Sequence, residues 1–333
     1  MVEAMSFRDK ARRPDVDSYV EDHLRWKPVT PEDLEDLDCL REQIGAFDDA
    51  LLSSTDRTVE LGGEDGLDEN CIGGWDNYGS LLAYGWNVVD PDPGRAWVTL
   101  VGGVHPTHRY LAIGRKLLAW QQARAMEWRD AHRPGMDLWM GCYVEAGQPG
   151  LQHNLRNAGF GVERHFIDMH RALDAVPAPR EVDTVQFVPF ERGHSDELHR
   201  LHHVCFGADV NHDHWQTSLA HVRKDWSWVA VTDEGAVGYV LSGEDREEGA
   251  DGTSEGWTER LGVHPDHRRH GIASALLERT LVSMYQSGCA AAGIGVDTTE
   301  SNGAGSLQRA LGYQEGDSVL LMSRTLAAGN SVS

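Results

Sequence analysis

The sequence predicts an α/β chain that contains two copies of one whole domain. Residues 103–109 read GVHPTHR and residues 262–268 read GVHPDHR, so a seven-residue stretch nearly repeats itself 159 residues further on. Each copy follows a segment with strand-like alternation and leads through a Gly/Ala turn into a helical pattern. Because solenoid repeats recur roughly every 20–50 residues, this spacing indicates a duplicated domain and a duplicated chemistry.

The second copy predicts a strand, a loop of small residues and a helix, in that order. Residues 257–263 alternate apolar and polar side chains as a half-buried strand does, and Pro265 ends the alternation. Residues 268–273 form the loop, and the leucines of residues 274–281 have helical spacing. Backbone N–H groups and the helix dipole favour a phosphate or pyrophosphate there, and Gly271 permits its close approach. The alternative is an ordinary helix N-terminus after a tight turn.

A resemblance to a known family rests on these residues and on the segments after them. The tripeptide VHP at 263–265, followed by R-x-x-G-x-A at 268–273, resembles the acyl-CoA signature of the GNAT acetyltransferase superfamily. A further strand at 293–297, then Asn302, then a helical segment with a closing Gly-Tyr at 305–313 agree with the family pattern. The first copy offers a strand at 137–144, a helix at 151–158 and a closing Gly-Phe at 159–160.

The resemblance implies a fold and a cofactor. Each copy is expected to form a mixed, mostly antiparallel twisted sheet flanked by helices, in which the two middle strands splay apart to admit the pantetheine arm of acetyl-CoA. The residues implied in cofactor binding are Leu261, Gly262, Val263, Arg268, Arg269, His270, Gly271, Ile272, Ala273, Ser274 and Asn302 in the second copy, and Val104, Arg109, Ala112 and Gly114 in the first.

The domain boundaries follow from the two copies and from the segment between them. Each copy opens alike, with a strand near 26–30 or 185–190 and a helix after it. The segment from 174 to 182 contains two prolines and little apolar material, which is typical of an extended linker. The predicted parts are an N-terminal extension (1–24), a first domain (25–173), the linker (174–182), a second domain (183–326) and a tail (327–333).

The reaction implied by the resemblance is direct transfer of an acetyl group from acetyl-CoA to a primary amine, which has to lose a proton. By the period-two rule, residues 257, 259, 261 and 263 share one face of a strand, so Glu259 is the candidate base and Glu255 lies further out on it. The first copy has no acid at 95–104 and has Ala112 in place of the loop glycine, where a methyl group is expected to crowd the pyrophosphate. We therefore expect an active second domain and a degenerate first one.

Two residues, Ser306 and Tyr313, are candidates for protonating the leaving thiolate. Many members of the family have a tyrosine four residues before the Gly of the closing motif, where this chain has Gln308. Gln308 cannot act as an acid, so the thiolate leaves unassisted or Ser306 or Tyr313 donates the proton. Tyr313 is expected to pack as the structural aromatic of the family, which leaves Ser306 as the candidate.

Composition limits the function classes and the compartment. The net charge of −23 argues against nucleic acid as a partner and permits a cationic small-molecule or peptide amine, although acidic surfaces also serve solubility. Five scattered cysteines, a charged N-terminus and no long apolar run indicate a cytoplasmic protein without export signal or membrane span. Clustered histidines could bind zinc, but those at 264, 267 and 270 straddle the loop, and no metal is predicted. A second set, at 199, 202, 203, 212 and 214 with Cys205, could bind zinc, line the acceptor pocket or be exposed.

Three other functions remain open. The pairing of a catalytic with a vestigial copy resembles the actinobacterial mycothiol synthases, from which the chain departs at Gln308. A non-catalytic acyl-CoA-binding or sensing protein would account for the degraded first copy. A nucleotide-binding protein that uses the Gly271 turn is disfavoured because no Gly-Lys-Ser/Thr follows it.

Overall fold

The computed structural model describes residues 24–48, 67–145, 147–176, 178–207, 212–244, 254–299 and 305–328. The chain folds as two compact units, a first unit of Met1–His165 with Val319–Ser333 and a second unit of Phe166–Ser318. Each unit therefore includes a strand segment from the other half of the sequence, which the boundaries drawn above at 25–173 and 183–326 do not anticipate.

The helices and strands alternate in the same order in both halves. The first half contains β1 (Arg25–Pro28), α1 (Leu34–Asp48), α2 (Leu67–Asn70), β2 (Cys71–Trp75), β3 (Leu81–Val89), β4 (Ala96–Val104), α3 (Ile113–His132), β5 (Leu138–Glu145), α4 (Pro149–Asn157) and β6 (Gly161–Ala172). The second half contains β7 (Gln186–Pro189), α5 (Ser195–Phe206), α6 (His212–Ser218), β8 (Trp228–Thr232), β9 (Gly235–Glu244), β10 (Glu255–Val263), α7 (Ile272–Gln286), β11 (Ala291–Asp297), α8 (Ser306–Ala310) and β12 (Gln314–Leu326).

The sheet of the first unit has the strand order β1-β2-β3-β4-β5-β12. All neighbours are antiparallel except β4 and β5, and residues 319–326 of β12 pair with residues 138–145 of β5. Helix α3 packs closely on β3, where a Cβ atom at Gly85 would lie 2.8 Å from Leu117. Gly85 therefore lets the helix approach the strand.

The sheet of the second unit repeats this arrangement as β7-β8-β9-β10-β11-β6. Only β10 and β11 run parallel, and residues 166–172 of β6 pair antiparallel with residues 291–297 of β11. Met169 of β6 is 1% exposed and belongs to the same apolar core as Leu276 and Ile294. The mixed, mostly antiparallel fold predicted for both copies is confirmed.

In both units the two parallel strands pair over four residues and then part. Residues 96–99 of β4 pair with residues 138–141 of β5, and residues 255–258 of β10 pair with residues 291–294 of β11. Beyond Thr99 and Thr258, the two strands of each pair are no longer paired residue by residue. The splayed middle strands that the resemblance implied are therefore present, and we call the point where they part the fork.

A β-bulge at the fork distinguishes the two units. The register between β10 and β9 shifts by one residue between Thr258 and Arg260, whereas the register between β4 and β3 is regular from Val98 to Val104. The predicted face through residues 257, 259, 261 and 263 is therefore wrong, because the extra residue, Glu259, breaks the period of two. Bulges re-aim side chains and are frequent beside active sites.

Candidate functional site

The near-repeat has the same backbone geometry in both units. His105 (φ −48°, ψ 135°) and His264 (φ −49°, ψ 134°) each directly follow a strand and cap a 3₁₀ turn that begins with proline. The side chain of each histidine accepts a hydrogen bond from the backbone N–H two residues on, that of Thr107 or Asp266. The sequence repeat is thus a structural repeat.

The loop then turns through left-handed backbone into the next helix. Tyr110 and Arg269 have φ values of 67° and 66°, and Ala112 and Gly271 have φ values of 63° and 82°. Such turns direct successive N–H groups at one spot beside a helix N-terminus, which is suited to a pyrophosphate. A Cβ atom at Gly271 would be 4.0 Å from its nearest protein neighbours, so the protein itself leaves room for a methyl group there.

The first arginine of each loop braces the end of the strand. Arg109 Nε donates to the Val104 carbonyl at 3.1 Å, and Arg268 Nε donates to the Val263 carbonyl at 3.0 Å. Arg109 also forms a bidentate ion pair with Asp48, in which Nη1 donates to Oδ1 at 2.6 Å and Nη2 donates to Oδ2 at 2.9 Å. In the second unit Nη2 of the equivalent arginine donates to a main-chain carbonyl of α5 at 2.9 Å. These contacts favour backbone amides over either guanidinium as the phosphate ligands.

A cavity adjoins the loop in each unit. In the first unit it has a volume of about 940 Å³ and reaches from the end of β4 to α4, and all four residues predicted there line it: Val104, Arg109, Ala112 and Gly114. In the second unit it has a volume of about 210 Å³, and its lining consists of predicted loop residues: Val263, Arg268, Arg269, Gly271, Ile272, Ala273 and Ser274. Leu261, Gly262 and His270 do not line it.

The wall of the first cavity also contains Cys142 and Asn154. Burial raises the pKa of the Cys142 thiol to about 12, so this group is neutral and poorly suited to act as a nucleophile. The amide of Asn154 lies 3.6 Å from where a Cβ atom of Gly114 would be, beside the first turn of α3. The first unit therefore presents a roomy cleft without an activated nucleophile in its described wall.

The candidate bases of the second unit occupy different places on β10. Glu259 is the exposed bulge residue at the fork. Glu255 lies in the paired part of the strand, with its Oε1 2.7 Å from Nδ1 of His170 on β6. Four residues of strand span about 13 Å, so the structure does not bring the two carboxylates together. Glu259 is the one at the fork.

The candidate acids are also separated. Ser306 is exposed at the first residue of α8, while Gln308 and Tyr313 are buried. Burial raises the pKa of the Tyr313 hydroxyl above its ordinary value, and the ring belongs to the apolar core. Asn302 lies outside the described residues.

A polar and aromatic cluster lies on the α5 and α6 side of β9 and β10, and of its members sequence reasoning singled out only His202, within the histidine-rich segment. His202 Nδ1 lies 2.6 Å from the Tyr239 hydroxyl oxygen, and the two rings surround Trp215 at 5.3 and 6.5 Å between centroids. The guanidinium of Arg260 lies 4.7 Å from the Trp215 ring centre. We call these four residues the acceptor-side cluster. Its signals in the sequence were the histidine-rich segment and a charged residue within a half-buried strand.

The described part of the chain has neither a cluster of metal ligands nor a membrane-spanning helix. No three or more His, Cys, Asp or Glu side chains in it are grouped as metal ligands. Its helices include none that is long and apolar enough to cross a membrane.

Comparison with known proteins agrees with this geometry. Residues 223–315, in the second unit, match the acetyltransferase (GNAT) domain. The chain has the GNAT fold. No curated protein sequence matches it.

Three solved structures illustrate the similarity. A GCN5-related N-acetyltransferase from Sphaerobacter thermophilus is 21% identical with a TM-score of 0.76, over 94% of this chain and 100% of its own. A tandem GNAT protein from the clavulanic acid biosynthesis pathway is 14% identical with a TM-score of 0.63, over 91% and 98%. Saccharomyces cerevisiae N-myristoyltransferase with bound myristoyl-CoA is 10% identical with a TM-score of 0.57, over 96% and 82%. The GNAT domain match and this shared fold support an acyltransferase.

Proposed function

We propose that the protein transfers an acetyl group from acetyl-CoA to a primary amine, and that the second unit performs the transfer. The observation that carries the proposal is the joint presence of an anion-binding loop and a bulged, acid-bearing strand at one fork. In the second unit β10 supplies Glu259 at the bulge and leads directly into the loop that opens α7. The acceptor class is a small-molecule or peptide amine.

The loop and the open strand edge would hold the donor. Past Thr258, β10 has a partner on the β9 side and none in register on the β11 side, so its main chain from 261 to 263 can pair with the amides of pantetheine. The N–H groups that follow Arg269 and the dipole of α7 would hold the pyrophosphate. Acetyl-CoA would supply an activated thioester, and the protein would hold that thioester at the fork.

The transfer needs one proton acceptor and one stable leaving group. The amine nitrogen attacks the thioester carbonyl carbon, a C–N bond forms, the C–S bond breaks, and the electron pair leaves with the CoA sulfur. Glu259 would take the proton from the nitrogen, directly or through one water. The thiolate leaves unassisted or takes a proton from Ser306, since Gln308 cannot donate as an acid.

The first unit lacks this machinery although its cleft is larger. The strand β4 has the same length as β10, and its position 100, equivalent to 259, is leucine in a regular register. We therefore propose for it a non-catalytic role as an acyl-CoA-binding module, which the 940 Å³ cavity favours. The narrower mycothiol-synthase-like assignment has support only from the presence of two copies.

We further propose a cytoplasmic location. All five cysteines are free in the structure, which agrees with a reducing compartment.

A screen for turnover tests the central proposal. We expect acetyl-CoA-dependent thiol release with at least one member of a panel of primary amines, amino acids, polyamines, aminoglycosides and peptides. Tight CoA binding without turnover of any amine would instead establish the binding or sensing function.

Donor binding by the second unit can be tested at the loop glycine. Gly271→Val should weaken CoA binding to that unit about 10–100-fold, because a β-branched residue is strained at a φ of 82° and distorts the loop. Calorimetry would resolve this loss from binding in the first unit.

A matched control exists at the other end of the same helix. Gly288 has a φ of 89° with open space around it, so Gly288→Val imposes the same backbone strain away from the loop. Equal CoA affinity in the parent and in both variants would show that the second-unit loop is not the donor site.

A further inference from the structure

The duplication provides an internal reference for Arg260. Strands β4 and β10 are equally long and lead into identical turns, so position 101 of the first unit corresponds to position 260 of the second. Val101 packs against an apolar cluster that contains Leu37 and Leu40. Because the same place in the same fold accepts an apolar side chain, the fold does not require a charge at Arg260.

Among the described residues, Arg260 has hydrogen-bond and ring contacts but no direct ion pair. Its Nη1 donates to Ser218 Oγ at 2.8 Å, and that hydroxyl donates to the Trp215 carbonyl at 2.7 Å. The guanidinium lies 4.7 Å from the Trp215 ring centre. No salt bridge to a described carboxylate accompanies these contacts, and burial lowers the pKa of Arg260 although the charge of the exposed Glu259 acts in the opposite direction. Burying an unpaired cation costs free energy unless a ligand compensates for it.

The rest of the cluster stays uncharged. Burial, followed by the nearby charge of Arg260, lowers the pKa of His202 to about 4, so at neutral pH this ring carries no charge. Its partner, the Tyr239 hydroxyl, is also neutral because burial raises its pKa. The cluster therefore offers one positive charge and two neutral hydrogen-bonding groups. A monoanion matches this charge better than a phosphate dianion does.

The position of the cluster suits an acceptor rather than the donor. Helix α7, which opens at the donor loop, packs on the face of β9 where Ile272 would be 3.1 Å from a Cβ atom of Gly238. The next residue, Tyr239, faces the other side of the sheet and bonds to His202 on α5. Arg260 follows the bulge at the fork, on the Tyr239 side. The loop that opens α7 and the acceptor-side cluster therefore lie on opposite faces of the sheet, and both adjoin the fork.

We propose that Arg260 binds the carboxylate of the acceptor, which is therefore an amine that carries a carboxylate group, as an amino acid does. The proposal rests on the function proposed for the second unit. The planar guanidinium, which contacts Trp215 and donates to Ser218, offers its remaining N–H groups to both carboxylate oxygens. A carboxylate held there would leave the amine of the same molecule near the fork and Glu259.

Matched ligand pairs test the inference. Each L-amino acid is compared with its methyl ester and its decarboxylated amine, by calorimetry in the presence of CoA and by thiol release from acetyl-CoA. We expect at least one acid to bind, its ester and amine to bind about 10–100-fold more weakly, and Arg260→Met to remove that preference. Arg260→Lys should retain part of it.

A matched control separates charge from folding. Arg223 also lies over a tryptophan of the second unit, 4.4 Å from the Trp226 ring centre, but it pairs with Glu244. Arg223→Met should keep the preference for the acids. Melting temperatures and CoA affinity report whether each variant is folded.

The outcomes separate this inference from the proposed function. Equal binding of acids, esters and amines, binding of no acid, or an unchanged preference in Arg260→Met would overturn the carboxylate assignment. Selective binding without any thiol release would support Arg260 as a carboxylate ligand and argue against transfer. Thiol release with amines that lack a carboxylate would support transfer and argue against Arg260 as a carboxylate ligand.

Discussion

Replacing Glu259 with glutamine should lower the rate of acetyl transfer at neutral pH by about 10²–10⁴-fold, the usual contribution of a general base. The side chain lies at the bulge of β10, where the parallel strands part, and glutamine keeps its size while removing the proton acceptor. The loss should shrink as the pH rises, because a growing fraction of the amine is then already neutral. A pH–rate profile of the variant beside the parent measures this.

The control for Glu259 is the other carboxylate of the same strand. Glu255 pairs with His170 in the part of β10 that is still bonded to β11, so Glu255→Gln should leave the profile nearly unchanged. A full rate for Glu259→Gln from about pH 6 to 9 would show that this residue is not the base. A selective loss in Glu255→Gln would move the chemistry away from the fork.

Local patterns predicted most of the elements that form the loop. The strand expected at 257–263 is β10, the helix expected at 274–281 is the middle of α7, and the strand expected at 293–297 is most of β11. The type and the ends of these elements depend on the spacing of apolar residues and on the positions of proline and glycine, and these signals act over only a few residues. The left-handed turn at Gly271 is local in the same way.

What the sequence did not predict depends on contacts between distant residues. The bulge at Glu259 is a shift of register between β10 and β9, and the sequence of a single strand does not reveal its partner. The guanidinium of Arg268, expected on phosphate, bonds to the carbonyl of Cys205, 63 residues away. The acceptor-side cluster likewise joins side chains from α5, α6, β9 and β10.

The last strand of each sheet is the feature that differs most from what the sequence repeat suggested. A repeat of 159 residues suggests that each half folds on its own, yet the sheet of the second unit ends with residues 166–172 and that of the first with residues 319–326. Alternating apolar residues identify a strand but do not specify which sheet it joins. Each sheet therefore ends with a strand from the other half of the sequence.

The strand exchange leads to our last prediction. Met169→Ala should destabilise the second unit by about 2–5 kcal/mol, because it leaves a cavity in a core where this side chain is 1% exposed. Although residue 169 belongs to the first half of the sequence, hydrogen exchange should accelerate in peptides from α7 and β11. Peptides from β4 and β5 should keep their protection.

The reciprocal change gives the opposite pattern. Met322 is 0% exposed in the core of the first unit, opposite Cys142 of β5, so Met322→Ala should accelerate exchange in β5 and spare β11. If Met169→Ala loosened β5 and Met322→Ala loosened β11, the two halves of the sequence would be the folding units after all. Exchange resolved by peptide, rather than one melting temperature, decides this, because two separate units need not unfold as one.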